Sequence, residues 1–379
     1  GYYCYRIPAL ILTTQGTLIA FCEARQHSCH DWGHSAILAR RCENPIQHFD
    51  HWQKPFIIKE SDLMVAPRNE IESFTALKLA ERYGWKHGLI PVVTNNPVPI
   101  VDTFTGEIHL VYCEDYHHAF YTRSVDNGLT WSESVDITNV LEQLRPQYDW
   151  TVIASGPGQG LQLQHGEHKG RLIVPYWMAS NPADITAHQP SQVATIYSDD
   201  HGSTWQAGEF VPFTVKDPNE SKLVQRKDGT VMMISRSNQP LDKDQPVFHK
   251  AVSVSPDGIS SWSEYRFDKT LPEPRCMGSL ARLGDQLLYS SPNPTALSGE
   301  FHERRNLTLW QSADEGRTWT HPLPIDRIDS AYSDLAVDEE NGFVYALYEG
   351  NYVEGEYGLA GGMNVVKINS NWLAASAAG

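Results

Sequence analysis

One pattern, repeated six times, restricts what this chain can become. A turn glycine followed by an apolar strand recurs at Gly16 (QGTLIAFCEAR), Gly106 (TGEIHLVYCED), Gly170 (KGRLIVPYW), Gly229 (DGTVMMISR), Gly284 (GDQLLYSS) and Gly342 (NGFVYALYEG). After a first interval of 90 residues the glycines stand 55 to 64 residues apart. Each is also preceded by an apolar stretch. Every copy therefore reads strand, turn, strand: a β-hairpin whose glycine supplies the positive φ of the turn. Repeats at such a period point to an array of small supersecondary units.

A second motif runs in phase with the first. Ser-x-Asp-x-Gly-x-Thr-Trp begins at Ser124, Ser198 and Ser312, and a degenerate copy, SPDGISSW, begins at Ser255. Its aspartate can accept bonds from turn amides, its glycine permits the tight turn, and its tryptophan is suited to packing between sheets. These aspartates are assigned no catalytic role. Six hairpins extended in this way make six small sheets, and radial closure of such sheets leaves few exposed edges. The expected fold is all-β: a six-bladed β-propeller of four-stranded antiparallel sheets. It forms one domain over residues 1–370, and the Ala/Ser/Gly-rich tail at 371–379 reads as unstructured or vector-derived. The stretch from about 45 to 90 reads as an irregular insertion, with short helical segments near 72–82 and 138–145.

Composition narrows the function. The 41% apolar content is that of a globular protein, and 17 tyrosines with 11 tryptophans suit a β-rich one. A net charge of −16 argues against nucleic acid and anionic lipid surfaces as partners, so an anionic small molecule would need a locally basic pocket. No run of eighteen apolar residues is present to span a membrane. Six cysteines form no CxxC pair; Cys22 and Cys29 could be bridged, and packed reduced thiols account for the set equally well. The chain opens on a strand-like segment with no secretory leader, as a trimmed N-terminus would.

In a hairpin, residues about ten before the turn glycine meet those seven to nine after it at the open end. The rule pairs Arg6 with Glu23 and Arg25, Glu220 with Arg236, and Tyr332 with Glu349, and it puts Asn96 at the open end of the second hairpin. Closure of the ring would gather these ends on one face. At these positions the chain resembles the bacterial-type exo-sialidase (neuraminidase) family. Tyr5-Arg6-Ile7-Pro8 is similar to its (F/Y)RIP motif, and the repeated turns are similar to its Asp boxes. GPGQGLQL at 156–163, NESKLV at 219–224 and YSDL at 332–335 extend the likeness, which covers Arg6 to about Ile368.

The resemblance implies an arginine triad for a carboxylate at Arg6, Arg236 and Arg304, with adjacent Arg305 as the alternative third member. It implies Tyr332 as nucleophile, Glu220 as its activating base, and Asp31, in the polar loop SCHDWGH, as general acid/base. Glu349 resembles the acid that orients the first arginine, and Arg25 and Asn96 resemble positions that touch the far side of the sugar. Three guanidiniums can grip a carboxylate through bidentate bonds that lysine cannot make. A carboxylate nucleophile would be repelled by the substrate's own carboxylate, and a neutral tyrosine is not. Its ordinary pKa, about 10, calls for a neighbouring base. No cofactor and no metal is implied, although His30 and His34 flank Asp31. The implied partners are sialylated glycans or sialic acid; the compartment stays open, with a secreted, periplasmic or cell-surface setting preferred to a cytoplasmic one. The alternatives are a hydrolase of related ulosonic acids (Kdn or Kdo), a transferase, and a non-catalytic sialoglycan-binding propeller. The sequons Asn219-Glu-Ser and Asn306-Leu-Thr flank these residues and read as unused.

Overall fold

The structure, a computed structural model, describes residues 1–26, 29–60, 92–184, 186–240, 248–296, 303–350 and 362–377. All six glycine turns close antiparallel hairpins. The first sheet is β1 (Cys4–Leu12), β2 (Leu18–Arg25), β3 (Ser35–Cys42) and β4 (Phe56–Glu60), in that order. The second is β5 (Thr94–Val101), β6 (Ile108–Glu114), β7 (His118–Ser124) and β8 (Val135–Asp136). In the third, β9 (Val152–Ser155) and β10 (Leu161–Gln162) both pair with β11 (Leu172–Ala179), followed by β12 (Ser191–Ser198) and β13 (Gln206–Phe210). The fourth is β14 (Ser221–Gln225), β15 (Val231–Ser235), β16 (His249–Ser255) and β17 (Arg266–Pro272).

The fifth sheet corrects the expected architecture. It holds β18 (Ser279–Leu283), β19 (Gln286–Pro292), β20 (Arg305–Ser312), β21 (Thr320–Asp338), β22 (Phe343–Gly350) and β23 (Gly362–Asn369). The β21 strand runs 19 residues without a glycine, pairing with β20 along its first part and with β22 along its last. The hairpins at Gly284 and Gly342 therefore share one hydrogen-bonded sheet. The propeller has five blades of four to six strands, not six blades of four. Strand β4 lies inside the stretch read as an irregular insertion, and the helix predicted near 72–82 lies outside the described residues. The helix predicted near 138–145 is a short one, Thr138–Glu142, and a terminal helix, Ser370–Ala377, runs into the stretch read as a tail.

Each repeated turn connects two paired strands of its own sheet and packs against the sheet before it. In each, the serine hydroxyl donates to the aspartate and the aspartate accepts the amides that follow: Asp126 Oδ1 takes Thr130 N–H at 2.8 Å and Ser124 Oγ–H at 2.8 Å. Asp200, Asp257 and Asp314 repeat the arrangement. Burial alone would raise the Asp126 pKa, but these bonds outweigh it and bring it to about 2. Beyond the turn, a Cβ on Gly128 would stand 2.6 Å from Ile19 of the first sheet, and one on Gly316 would stand 2.7 Å from Met232 of the fourth. Trp205 packs 5.5 Å from Tyr121 of the preceding sheet. The turns are therefore inter-blade clamps, and their aspartates are used up in holding them.

The axis is tied by one buried carboxylate. Asp334 of β21 accepts Leu10 N–H at 2.9 Å from the first sheet and Gln159 N–H at 2.8 Å from the third. It also takes Lys222 Nζ at 3.0 Å from the fourth and Ser279 Oγ–H at 2.7 Å from its own sheet. Both ion-pair partners are inaccessible, at 2% for Lys222 and 0% for Asp334. Removing one member of such a pair strands the other charge in the interior, which typically costs about 3–5 kcal/mol. Asp334→Ala is expected to lower the unfolding free energy by that amount, read from urea denaturation at neutral pH; a loss within about 1 kcal/mol of wild type would show that the axis closes without it.

Candidate active site

The open ends of the hairpins meet around a cavity of about 210 Å³. Arg6 reaches it from β1, Asn96 from β5, and Tyr332 from β21. Glu220 stands just before β14 and Arg236 just after β15, joined through their backbones as one hairpin end. Arg304 enters immediately before β20, and Asp31 from the loop between β2 and β3. Seven of the nine residues singled out in the sequence thus line one pocket; Arg25 and Glu349 stand behind it. Arg305, the alternative to Arg304, turns away to pair with Glu303 at 3.3 Å and Asp329 at 3.7 Å.

Tyr332 is the centre of the arrangement. Its hydroxyl donates to Glu220 Oε1 at 2.5 Å and accepts from Arg236 Nη1 at 3.1 Å, and the same Nη1 donates to Glu220 Oε2 at 2.9 Å. The guanidinium carbons of Arg6 and Arg304 lie 5.1 and 5.3 Å from its ring centroid. Three guanidiniums thus surround one buried phenol. Burial, followed by the charge of Glu220, pushes the Tyr332 pKa well above 10, and the three arginines oppose this without overcoming it. Asp31 is the opposite case. Its partly enclosed setting would raise it, but Arg25 at 3.0 Å and Arg6 at 3.7 Å hold this half-exposed group well below the carboxylate range.

The arginines are aimed by a second row of carboxylates. Glu349 accepts Arg6 Nε at 3.2 Å and Nη2 at 3.3 Å, and it also takes Ile7 N–H at 2.8 Å. Ile7 has φ +60°, an uncommon conformation for a β-branched residue, at a bulge in the β1–β2 register. One sheet on, Glu23 repeats the device: it accepts Asn96 N–H at 2.7 Å, where φ is +54°, and holds Arg25 Nη2 at 2.8 Å. The hairpin rule had placed Glu23 at the open end, yet only here does its supporting contact emerge.

Sequence reading passed over the aromatic wall of Tyr116, Trp177 and His188. Trp177 lies seven residues after Gly170, within reach of the same rule. His188 sits in a connection between β11 and β12 that obeys no repeat, and its pKa is lowered chiefly by burial. The disulfide also differs from the candidate pair. Cys29 is bonded to Cys4, and Cys22 is a free thiol. The reason is geometric: Cys4 opposes Arg25 at the mouth of the loop that carries Cys29, whereas Cys22 lies deeper in β2. Among the described residues no cluster of three or more His, Cys, Asp or Glu could hold a metal, and no helix is long and apolar enough to cross a membrane.

Residues 75–346 match the BNR repeat-like domain. The chain belongs to this BNR repeat-like family. Among its curated relatives is a sialidase of Micromonospora viridifaciens, 28% identical over 98% of this chain and 52% of the relative, so the chain spans about half of that protein. Sialidase-2 of Cricetulus griseus is 27% identical over 88% of this chain and 85% of its own. Among solved structures, the Hadza microbial sialidase Hz136 superposes with a TM-score of 0.71 at 22% identity, covering 98% of this chain and 66% of that one, which shows a shared fold.

A BNR repeat-like pocket built this way can grip an anion with guanidiniums, pass a proton between Tyr332 and Glu220, and exchange one with Asp31. The raised Tyr332 pKa gives a direct expectation. Subtracting the ultraviolet pH titration of Tyr332→Phe from that of wild type should show no phenolate absorbance up to about pH 10. A phenolate signal at or below neutral pH would mean the arginines prevail.

Proposed function

We propose that this chain is an exo-α-sialidase that removes terminal sialic acid from glycans with retention of configuration. The observation that carries this reading is the Tyr332 hydroxyl bonded to Glu220 at 2.5 Å beneath three convergent guanidiniums. Phenol, base and anion clamp form a set with no evident structural purpose. Burying so many charges together is costly unless a ligand completes them.

The substrate carboxylate lies on Arg6, Arg236 and Arg304, which leaves the anomeric carbon over Tyr332. The phenol oxygen attacks that carbon while its proton passes to Glu220, so no anion approaches the carboxylate-bearing centre. Asp31, in the pocket lining 3.7 Å from Arg6, protonates the departing glycosidic oxygen. In the second half, water attacks the tyrosyl-sugar bond, gives its proton to Asp31, and the phenol recovers its own from Glu220. Two displacements return the α configuration.

Arg25 and Arg6 favour the ionised form of Asp31, which suits the second half better than the first. A bound carboxylate on Arg6 offsets part of the positive charge that depresses Asp31, so its pKa rises on binding. The limb belonging to Asp31 should therefore lie at higher pH in the kcat profile than in the kcat/KM profile. Coincident limbs would remove Asp31 from the acid role.

The direct test is fluorescence release from the 4-methylumbelliferyl glycosides of Neu5Ac, Kdn and Kdo. Neu5Ac turnover is expected, reduced roughly a thousandfold or more in Tyr332→Phe, with the α anomer appearing first by proton NMR. A β product would exclude the tyrosyl intermediate. Turnover of Kdn or Kdo alone would keep the mechanism and move the substrate. Silence on all three from folded protein would favour a binding propeller.

A further inference from the structure

The loop that carries Asp31 leaves β2 after Arg25 and rejoins the sheet at Ser35. At its neck Gln26 N–H donates to His34 O at 3.0 Å. Past the neck none of the described residues 29–34 lies in a strand, and the chemistry assigned to Asp31 requires a carboxyl held to within a fraction of an ångström.

Two attachments flank the aspartate. On its N-terminal side, Cys29 is bonded to Cys4, which lies two residues before Arg6 in β1. The segment bearing the acid is thus joined covalently to the strand bearing the first arginine. On its C-terminal side, Trp32 is buried among the pocket's aromatic wall, 4.8 Å from Tyr116 and 6.3 Å from His188. Between these anchors the Asp31 side chain keeps 43% of its surface open. Arg25 completes the arrangement, donating to Cys29 O at 2.5 Å and to Asp31 Oδ1 at 3.0 Å. A carboxylate that moves protons must be exposed, and a polar loop that exposes it would wander. A bridge on one side and an aromatic plug on the other answer both requirements.

We propose that Cys4, Cys29 and Trp32 are positioning residues: the disulfide and the indole together hold Asp31 at the reach needed to protonate a glycan leaving group. The inference rests on the sialidase reading above, and its test separates the two. An alkyl leaving group, as in 3′-sialyllactose, needs a proton to depart. 4-Methylumbelliferone departs as a stabilised phenolate and needs little help. The ratio of kcat/KM for the glycan to kcat/KM for the aryl glycoside therefore reports acid positioning, and it is independent of how much of a sample is folded.

The ratio would be measured for wild type, for the double variant Cys4→Ser/Cys29→Ser, and for Trp32→Ala, with intact mass confirming the bridge in wild type. Both variants are expected to lower the ratio by roughly tenfold or more while aryl turnover largely survives. Equal losses on the two substrates would overturn the inference, because the anchors would then serve the fold or the arginine clamp. Complete loss of both activities with loss of the circular dichroism signal would overturn it on the same ground. A wild type that turns over neither substrate would remove the sialidase reading itself.

Discussion

A single carboxylate on the axis, Asp334, receives hydrogen bonds from the first, third, fourth and fifth sheets, and the ring is closed around it. Apolar packing between blades is non-directional, so it cannot alone set how far each blade slides along the axis. The Asp334 bonds do set this, because each donor must sit within about 3 Å of the same two oxygens. Tyr332 precedes Asp334 by two residues on β21, and Glu220 precedes Lys222 by two on the way into β14. The depth of Tyr332 and Glu220 in the pocket follows from that internal contact.

The pocket is also where the ring closes. Glu349 of the fifth sheet reaches Arg6 and the strained backbone at Ile7 in the first. Glu23 of the first sheet reaches the backbone of Asn96 in the second. Backbone held in a sparsely populated region persists only where its surroundings dictate it. Here a carboxylate from the neighbouring sheet does so, and in both cases it holds an arginine as well. Assembly of the fold and alignment of the site use the same atoms.

Much of this was legible in the residues. The period of the glycine turns gives the six hairpins that close on them, and the in-phase Ser-Asp-Gly turns give the clamps between blades. The open-end rule brings Arg6, Glu23, Glu220, Arg236, Tyr332 and Glu349 to one face before any coordinate is known. The number of sheets was not legible, because it depends on whether β20, β21 and β22 share hydrogen bonds along a continuous strand, and the turn count is silent on that. Cys4–Cys29 was missed because its partners meet through the fold of a loop with no periodic signal. His188 was missed for the same reason: it reaches the pocket on a connection of irregular length.

The plug on the axis has a consequence for what can enter. Along β1, β14 and β21 the order is the same: pocket residue, then the Asp334 knot, then the lining of a second cavity of about 440 Å³ at the other mouth. Arg6, Leu10 and Leu12 mark it on β1; Glu220, Lys222 and Val224 beside β14; Tyr332, Asp334 and Ala336 on β21. The space above the knot is therefore a cul-de-sac. A polymer cannot thread through it, so on the sialidase reading proposed above a terminal unit would enter, and its cleaved sugar leave, by the same mouth.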